Sequence, residues 1–228
     1  GGYYATGKSE QYTLGLGLSR KDIDNPIFPS QGSNISLDID ISGGPFLPGN
    51  VDYYKLYLKN EWYKRLFGSS RLAIYAGSEF GFLDKFNWDT KINPFEYFFM
   101  GGNGMIIATT PLRGYDDRTV GPRRYSGNEG YIVVGGSTLI KHTFEIRAAA
   151  SLEPVPIYFI AFAEAGNVFY DLKSTNFFDL RRAIGFGARL LINPVGLVGF
   201  DFGYGFDKRD VDGGSPTLKF HFQFGNGM

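Results

Sequence analysis

The sequence predicts an all-β chain, and three observations predict it. Apolar residues recur at every second position in segment after segment, no segment carries a convincing helical stripe, and the connections alternate between tight turns and long polar loops. The composition agrees. Among 228 residues are 32 glycines, 22 phenylalanines and 15 tyrosines, with 23 basic against 23 acidic side chains. So aromatic and so neutral a chain is not a disordered one. It also lacks the basic face that nucleic acid requires, so no nucleic-acid partner is expected. The absence of cysteine excludes a disulfide framework, a Cys-ligated zinc site and thiol catalysis. There is no apolar run long enough for a membrane helix, and no signal peptide reads from Gly1.

Taken in order, strands are expected near 10–20, 33–42, 52–66, 71–83, 137–150, 157–169, 181–192, 196–206 and 217–226. In "SNISLDIDIS", Ile35, Leu37, Ile39 and Ile41 share one face, with Asn34, Ser36, Asp38 and Asp40 on the other. "YKLYLKNEW" sets Leu56, Leu58 and Trp62 against Lys55, Lys59 and Glu61. "AIGFGARLLI" sets Ile184, Phe186, Leu190 and Ile192 against Gly185, Gly187 and Arg189. In "LVGFDFGYGFD", Phe200, Phe202, Tyr204 and Phe206 oppose Asp201, Gly203, Gly205 and Asp207. "KFHFQF" sets Phe220, Phe222 and Phe224 against His221 and Gln223.

Alternation alone leaves two architectures open. A soluble sandwich hides the apolar face between sheets, whereas a membrane barrel turns it to lipid and keeps charges and glycines in a wet lumen. Three features favour the barrel. The strands run to about ten residues or more, as a tilted spanning strand requires. Aromatics crowd the apolar face and strand ends at Tyr53, Tyr54, Trp62, Tyr63, Phe80, Phe82, Tyr158 and Phe159, as in an interfacial girdle. Tight turns at 67–70, 152–156 and 193–196 alternate with longer polar segments at 43–50, 84–136, 170–180 and 207–216. Nine strands is an odd number, and an open sheet would leave two edges that lipid does not tolerate. The expectation is therefore the C-terminal part of a larger barrel, with "GGYYATGKSE" as the tail of a preceding loop.

Several segments then carry a resemblance. "LRGYDDRTVGP" resembles the sixth extracellular loop motif of the BamA family, the outer-membrane protein assembly barrels with mitochondrial and chloroplast import relatives. "SRKDIDNPIFPSQGSNISLDIDISGG", "VDYYKLYLKNEWYKRL", "FAEAGNVF" and "GFGARLLINPVGLVGFDFGYGF" resemble its strands and turns, so the likeness covers essentially the whole chain. It implies that residues 1–228 are the eighth to sixteenth strands of a sixteen-stranded transmembrane barrel. The first strands and the periplasmic POTRA repeats would lie outside the chain. It further implies that the loop at 84–136 folds into the lumen, with Arg113, Gly114 and Tyr115 at its tip, and Gly121 and Pro122 turning the chain back out. On the residues alone Arg113 reads as a solvated loop arginine; the resemblance implies instead that it pairs with wall carboxylates Glu145 and Glu164. Phase puts Glu145 inside, since Phe144 and Ile146 face out. Glu164 shares its face with Tyr158, Ile160 and Phe162, and is placed inside because a carboxylate facing lipid is costly.

The activity implied is assembly and insertion of other outer-membrane barrels. An unfolded barrel strand would pair at a lateral seam formed by Thr217, Lys219, Phe220, Phe222, Phe224 and Gly225. Partners implied are the outer-membrane bilayer, unfolded outer-membrane proteins, and accessory lipoproteins docking mostly on the periplasmic repeats. The chain departs from the family by ending in "GNGM" rather than on an aromatic residue. A translocator or pore of the same superfamily is the alternative. An enzyme is not expected: His142 falls near an interface and His221 has no motif around it. Asp116 and Asp117 read as loop solvation or as local partners of Arg118, Arg123 or Arg124. "DVDGG" at 210–214 lacks the spaced ligands of a calcium loop, so no metal or cofactor is expected.

Overall fold

The computed structural model describes residues 10–87, 92–106, 108–127, 130–194, 196–207 and 216–225. Residues 1–9, "DVDGG" and residues 226–228 lie outside them, as does the side chain of Phe224. Nine strands form one antiparallel sheet: β1 (Thr13–Ile23), β2 (Gly32–Ser42), β3 (Tyr53–Arg65), β4 (Leu72–Lys85), β9 (Thr138–Ser151), β10 (Ile157–Phe169), β11 (Arg181–Ile192), β12 (Gly196–Gly205) and β13 (Leu218–Gly225). Four short strands sit between β4 and β9. They are β5 (Phe99–Met100) paired parallel with β6 (Thr109–Thr110), and the hairpin of β7 (Arg123–Ser126) with β8 (Gly130–Val133). Consecutive wall strands are neighbours throughout, with β4 pairing directly to β9 across the long insertion.

A single sheet rules out the sandwich, and the two faces settle which solvent each meets. Side chains exposed on the outer face include Leu14, Leu16, Leu18, Trp62, Phe144, Ile146, Phe159 and Phe186. Water would penalise so large an apolar surface; a bilayer suits it. Toward β13 this face becomes a run of packed rings, with Phe186 on Phe202 at 5.4 Å, Phe202 on Phe220 at 5.3 Å and Phe200 on Phe222 at 5.5 Å. The inner face carries the charges, and it is the buried one: Lys141, Glu145, Arg147, Glu164, Arg189 and Asp201 are all buried.

Three of the aromatics expected in the girdle belong inside instead. Tyr53, Tyr63 and Tyr158 share the phase of Lys55, Glu61 and Glu164, and the period of two admits no exception within a regular strand. Tyr53 joins the core under the insertion. Tyr63 packs on Tyr75 at 5.2 Å, and Tyr158 meets Phe28 edge-on at 5.1 Å.

The strand order defines two rims: the connections β1–β2, β3–β4, β9–β10 and β11–β12 leave from a short-turn rim, and β2–β3, β4–β9, β10–β11 and β12–β13 leave from the opposite one. The first strand ends at Ile23 rather than near 20, because the turn that follows is tied at Asp24. The Asp24 carboxylate accepts from the Ser30 and Gln31 amides at 2.8 and 3.1 Å, and from Arg65 at 3.1 Å. The Asn25 side chain accepts from the amides of Ile27 and Phe28 at 2.8 and 3.0 Å. This knot aims Phe28 inward, where it packs with Ala73, Tyr158, Ile160, Phe162 and Leu197. Burial alone would push the Asp24 carboxyl up, but its hydrogen bonds outweigh that and hold it well below the ordinary carboxylate range.

Candidate functional site

The insertion between β4 and β9 enters the lumen and builds a core of its own. Met100, Leu112, Tyr115 and Val120 are buried against Leu83, Leu139 and Val168 of the wall. Isolated bridges Phe98↔Gly136, Met100↔Val120 and Gly102↔Leu112 hold the descending and returning arms together. The return turns at Gly121, whose φ of 139° suits glycine, and Pro122 accepts from the Val134 amide at 3.0 Å.

At the tip, Arg113 is buried and distributes its donors over three carboxylates from three strands. Its amide reaches Glu164 Oε2 at 2.8 Å, and Nε and Nη2 reach Glu164 Oε1 at 3.1 and 2.8 Å. Nη2 also reaches Glu145 at 2.6 Å, and Nη1 lies 3.5 Å from Asp201. The guanidinium stacks on the Phe162 ring with its Cζ 3.6 Å from the centroid. The planar fork of arginine makes this possible; a lysine offers one point charge and could not bridge the same set.

The wall partners are themselves paired. Glu145 gives its second oxygen to Arg147 at 2.7 Å, and Arg147 lies over the Tyr75 ring at 4.4 Å. Asp201, fully buried, takes a two-pronged contact from Arg189 at 2.7 and 2.9 Å. Lys141 sits 3.2 Å from Glu79 and 3.7 Å from Glu164, and Glu79 also accepts from the Tyr57 hydroxyl. Glu79, Glu145, Glu164 and Asp201 thus face Lys141, Arg147, Arg189 and Arg113, four negative groups against four positive. Arg113 is the only one of the eight supplied by the insertion, so docking the loop is what brings this set to neutrality.

Gly114 follows with φ 87° and lies flat against β12. A Cβ there would come 2.7 Å from the Gly205 amide nitrogen, and one on Gly203 would come 2.6 Å from the Gly114 nitrogen. The lumen-facing glycines of β12 therefore leave room for the loop backbone. The Gly114 amide donates to His221 Nε2 at 2.9 Å. Tyr115 donates to the Arg182 carbonyl at 2.9 Å and accepts from the Asp207 amide at 3.2 Å. The Arg182 guanidinium, bonded to Asp207 at 2.7 Å, holds that carboxyl below its ordinary range.

The structure therefore brings Arg113, Gly114, Tyr115, Glu145 and Glu164 together, and it places Tyr158, Ile160 and Phe162 inward beside Glu164, where they floor the site. Asp116 is largely exposed, as loop solvation implies, and its side chain also reaches Lys219 of β13 at 2.8 Å, a partner distant in sequence. Sequence reading missed Asp201 and Arg189 as members of the set. A signal existed, because Gly187 pairs with Asp201 and Arg189 with Gly199, so the two charges sit diagonally on one face of the β11–β12 hairpin. Lys219, Phe220 and Phe222 lie in β13 with Lys219 on the inner side and the two rings outside, while Thr217 lies just before the strand.

Residues 3–228 match the Omp85 superfamily domain. The chain belongs to the Omp85 superfamily. It is 26% identical over 242 residues to the outer membrane protein assembly factor BamA of Neisseria meningitidis serogroup B, covering 92% of this chain and 28% of that protein. Its fold is similar to the crystal structure of BamA from Haemophilus ducreyi lacking POTRA domains 1–3, with a TM-score of 0.73 and 17% identity, over 93% of this chain and 41% of the other. This Omp85 chain thus spans less than half the length of either relative. The nine-stranded sheet, with its apolar exterior, is an outer-membrane β-barrel wall of the BamA kind.

Proposed function

We propose that this Omp85 chain serves in assembling and inserting other β-barrel proteins into the bacterial outer membrane, with β13 as the seam strand on which an incoming strand pairs. The observations that support the reading are the Omp85 match and the short ladder of β13, which pairs with β12 over eight positions where β9 and β10 share thirteen. A strand held over so few positions could give its main-chain donors and acceptors to an incoming strand without regard to sequence, as a folding factor for many clients requires. The protein would act without covalent chemistry. Its client would be an unfolded outer-membrane protein and its medium the bilayer, with accessory lipoproteins held by parts outside this chain.

The test is site-specific photocrosslinking from position 220 of the complete protein, reconstituted in liposomes with an unfolded barrel client. Adducts with the client during insertion are expected. Insertion without adducts would remove the seam, and failure of the liposomes to insert any client would remove the assembly role.

A further inference from the structure

The tip of the insertion touches more than the charged wall. Asn103 donates through Nδ2 to the Phe222 carbonyl at 2.7 Å, and its own carbonyl accepts from Gln223 Nε2 at 3.3 Å. Gly114 donates its amide to His221 at 2.9 Å, and Asp116 pairs with Lys219 at 2.8 Å. Three loop residues therefore engage Lys219, His221, Phe222 and Gln223, half of an eight-residue strand. Meanwhile the same loop is fixed through Arg113 to β9, β10 and β12.

We infer that Asn103, Gly114 and Asp116 form a strap that positions the terminal strand, tying β13 to the far wall of the lumen independently of its ladder with β12. The consequence for insertion rests on the proposed seam; the strap itself does not. A ladder strand can fray one residue pair at a time from its end. Here the steps at Gln223, Phe222, His221 and Lys219 must each also detach a loop contact anchored several strands away, so the strand moves only when the loop tip lets go. The contacts differ in kind. The pair of Asp116 with Lys219 is partly solvated and contributes little by itself. Asn103 holds a main-chain carbonyl, so its grip does not depend on which side chain stands at 222. His221 must present an unprotonated Nε2 to accept from Gly114, which assigns the ring proton to Nδ1. Asn103, with no chemistry of its own, thereby becomes a positioning residue for the proposed exchange of strands.

The experiment is amide hydrogen exchange on the complete protein in lipid nanodiscs, read separately over 218–223 and over 140–165. In Asn103→Ala combined with Asp116→Ala, the first set should exchange roughly tenfold faster, while the second stays unchanged. His221→Ala should act likewise, and His221→Gln should keep protection because its amide oxygen still accepts from Gly114. The charge reversal Asp116→Lys should loosen β13, and adding Lys219→Asp should tighten it again without any change in side-chain count. Unchanged exchange over 218–223 in these variants would overturn the strap. So would equal acceleration over 140–165, which would mean the loop merely supports the whole wall. Looser β13 with an unaltered rate of client insertion would leave the strap standing and count against the seam.

Discussion

Two segments of this chain leave the wall and fold into the lumen, and the side chains Phe28 and Arg113 that they seat there are held by opposite means. The 24–31 turn enters from the short-turn rim and seats Phe28 among apolar side chains. The long insertion enters from the other rim and seats Arg113 among carboxylates. Apolar seating is non-directional and tolerates any occupant of about the right volume. Ionic seating in a buried site is directional, and it depends on a balance that one substitution destroys. One wall thus carries one seat defined by shape and another defined by charge. They meet at Phe162, which stacks beneath Arg113 and also belongs to the cluster around Phe28.

The sharpest way to break this contrast is Arg113→Ala. It would leave the four carboxylates facing three cations and should destabilise the docked loop by roughly 3–5 kcal/mol. Limited proteolysis of the complete protein within the insertion measures it, and Arg113→Lys should fall between, since a single ammonium cannot bridge Glu145 and Glu164 together. Phe28→Ala should cost about 3 kcal/mol in thermal unfolding, whereas Phe28→Leu should cost about 1 kcal/mol. If Phe28→Leu proved as damaging as Phe28→Ala, the turn would not be seated by volume. Gly203→Ala should displace the loop for about 1–3 kcal/mol by overpacking, seen as new cleavage in the insertion. The double variant Arg113→Ala with Phe28→Ala should deviate from additivity by about 0.5 kcal/mol or more, because both act on Phe162. Strict additivity would separate the two seats.

A last and smallest effect concerns pH. The Asp24 carboxyl is held below its unfolded value, so the unfolded state binds the extra proton. Its stabilisation is fully present above the unfolded pKa, about 3.9, and is lost as pH falls from there toward the folded value. Comparing thermal midpoints of wild type and Asp24→Asn at pH 7 and in that acid window should show the difference shrinking in acid.

The wall was legible because period two is a local property. Strand ends shift by about three residues at most between expectation and structure, as at β1, where the Asp24 knot sets the boundary. Which aromatics meet lipid was less legible. Tyr53, Tyr63 and Tyr158 look like girdle residues in isolation, and only their phase relative to neighbouring charges sends them inward. Arg113 with Glu145 and Glu164 was accessible through resemblance, since nothing local to "PLRGYDDRTVGP" says that it is buried. The partner of Asp116, the contacts of Asn103 and the role of His221 were illegible for a plainer reason. Each joins residues about a hundred positions apart, across a loop whose path only the folded wall defines.

The contact of Gly114 with Gly203 and Gly205 has one more implication, for how this protein can vary. Most packed contacts can drift in pairs, one residue growing as its neighbour shrinks. Here both sides are already the smallest residue there is, and every substitution is an enlargement with nothing opposite left to give. That patch of β12 and the loop tip can change only by moving the whole loop away, which would undo the charge balance at Arg113 in the same step.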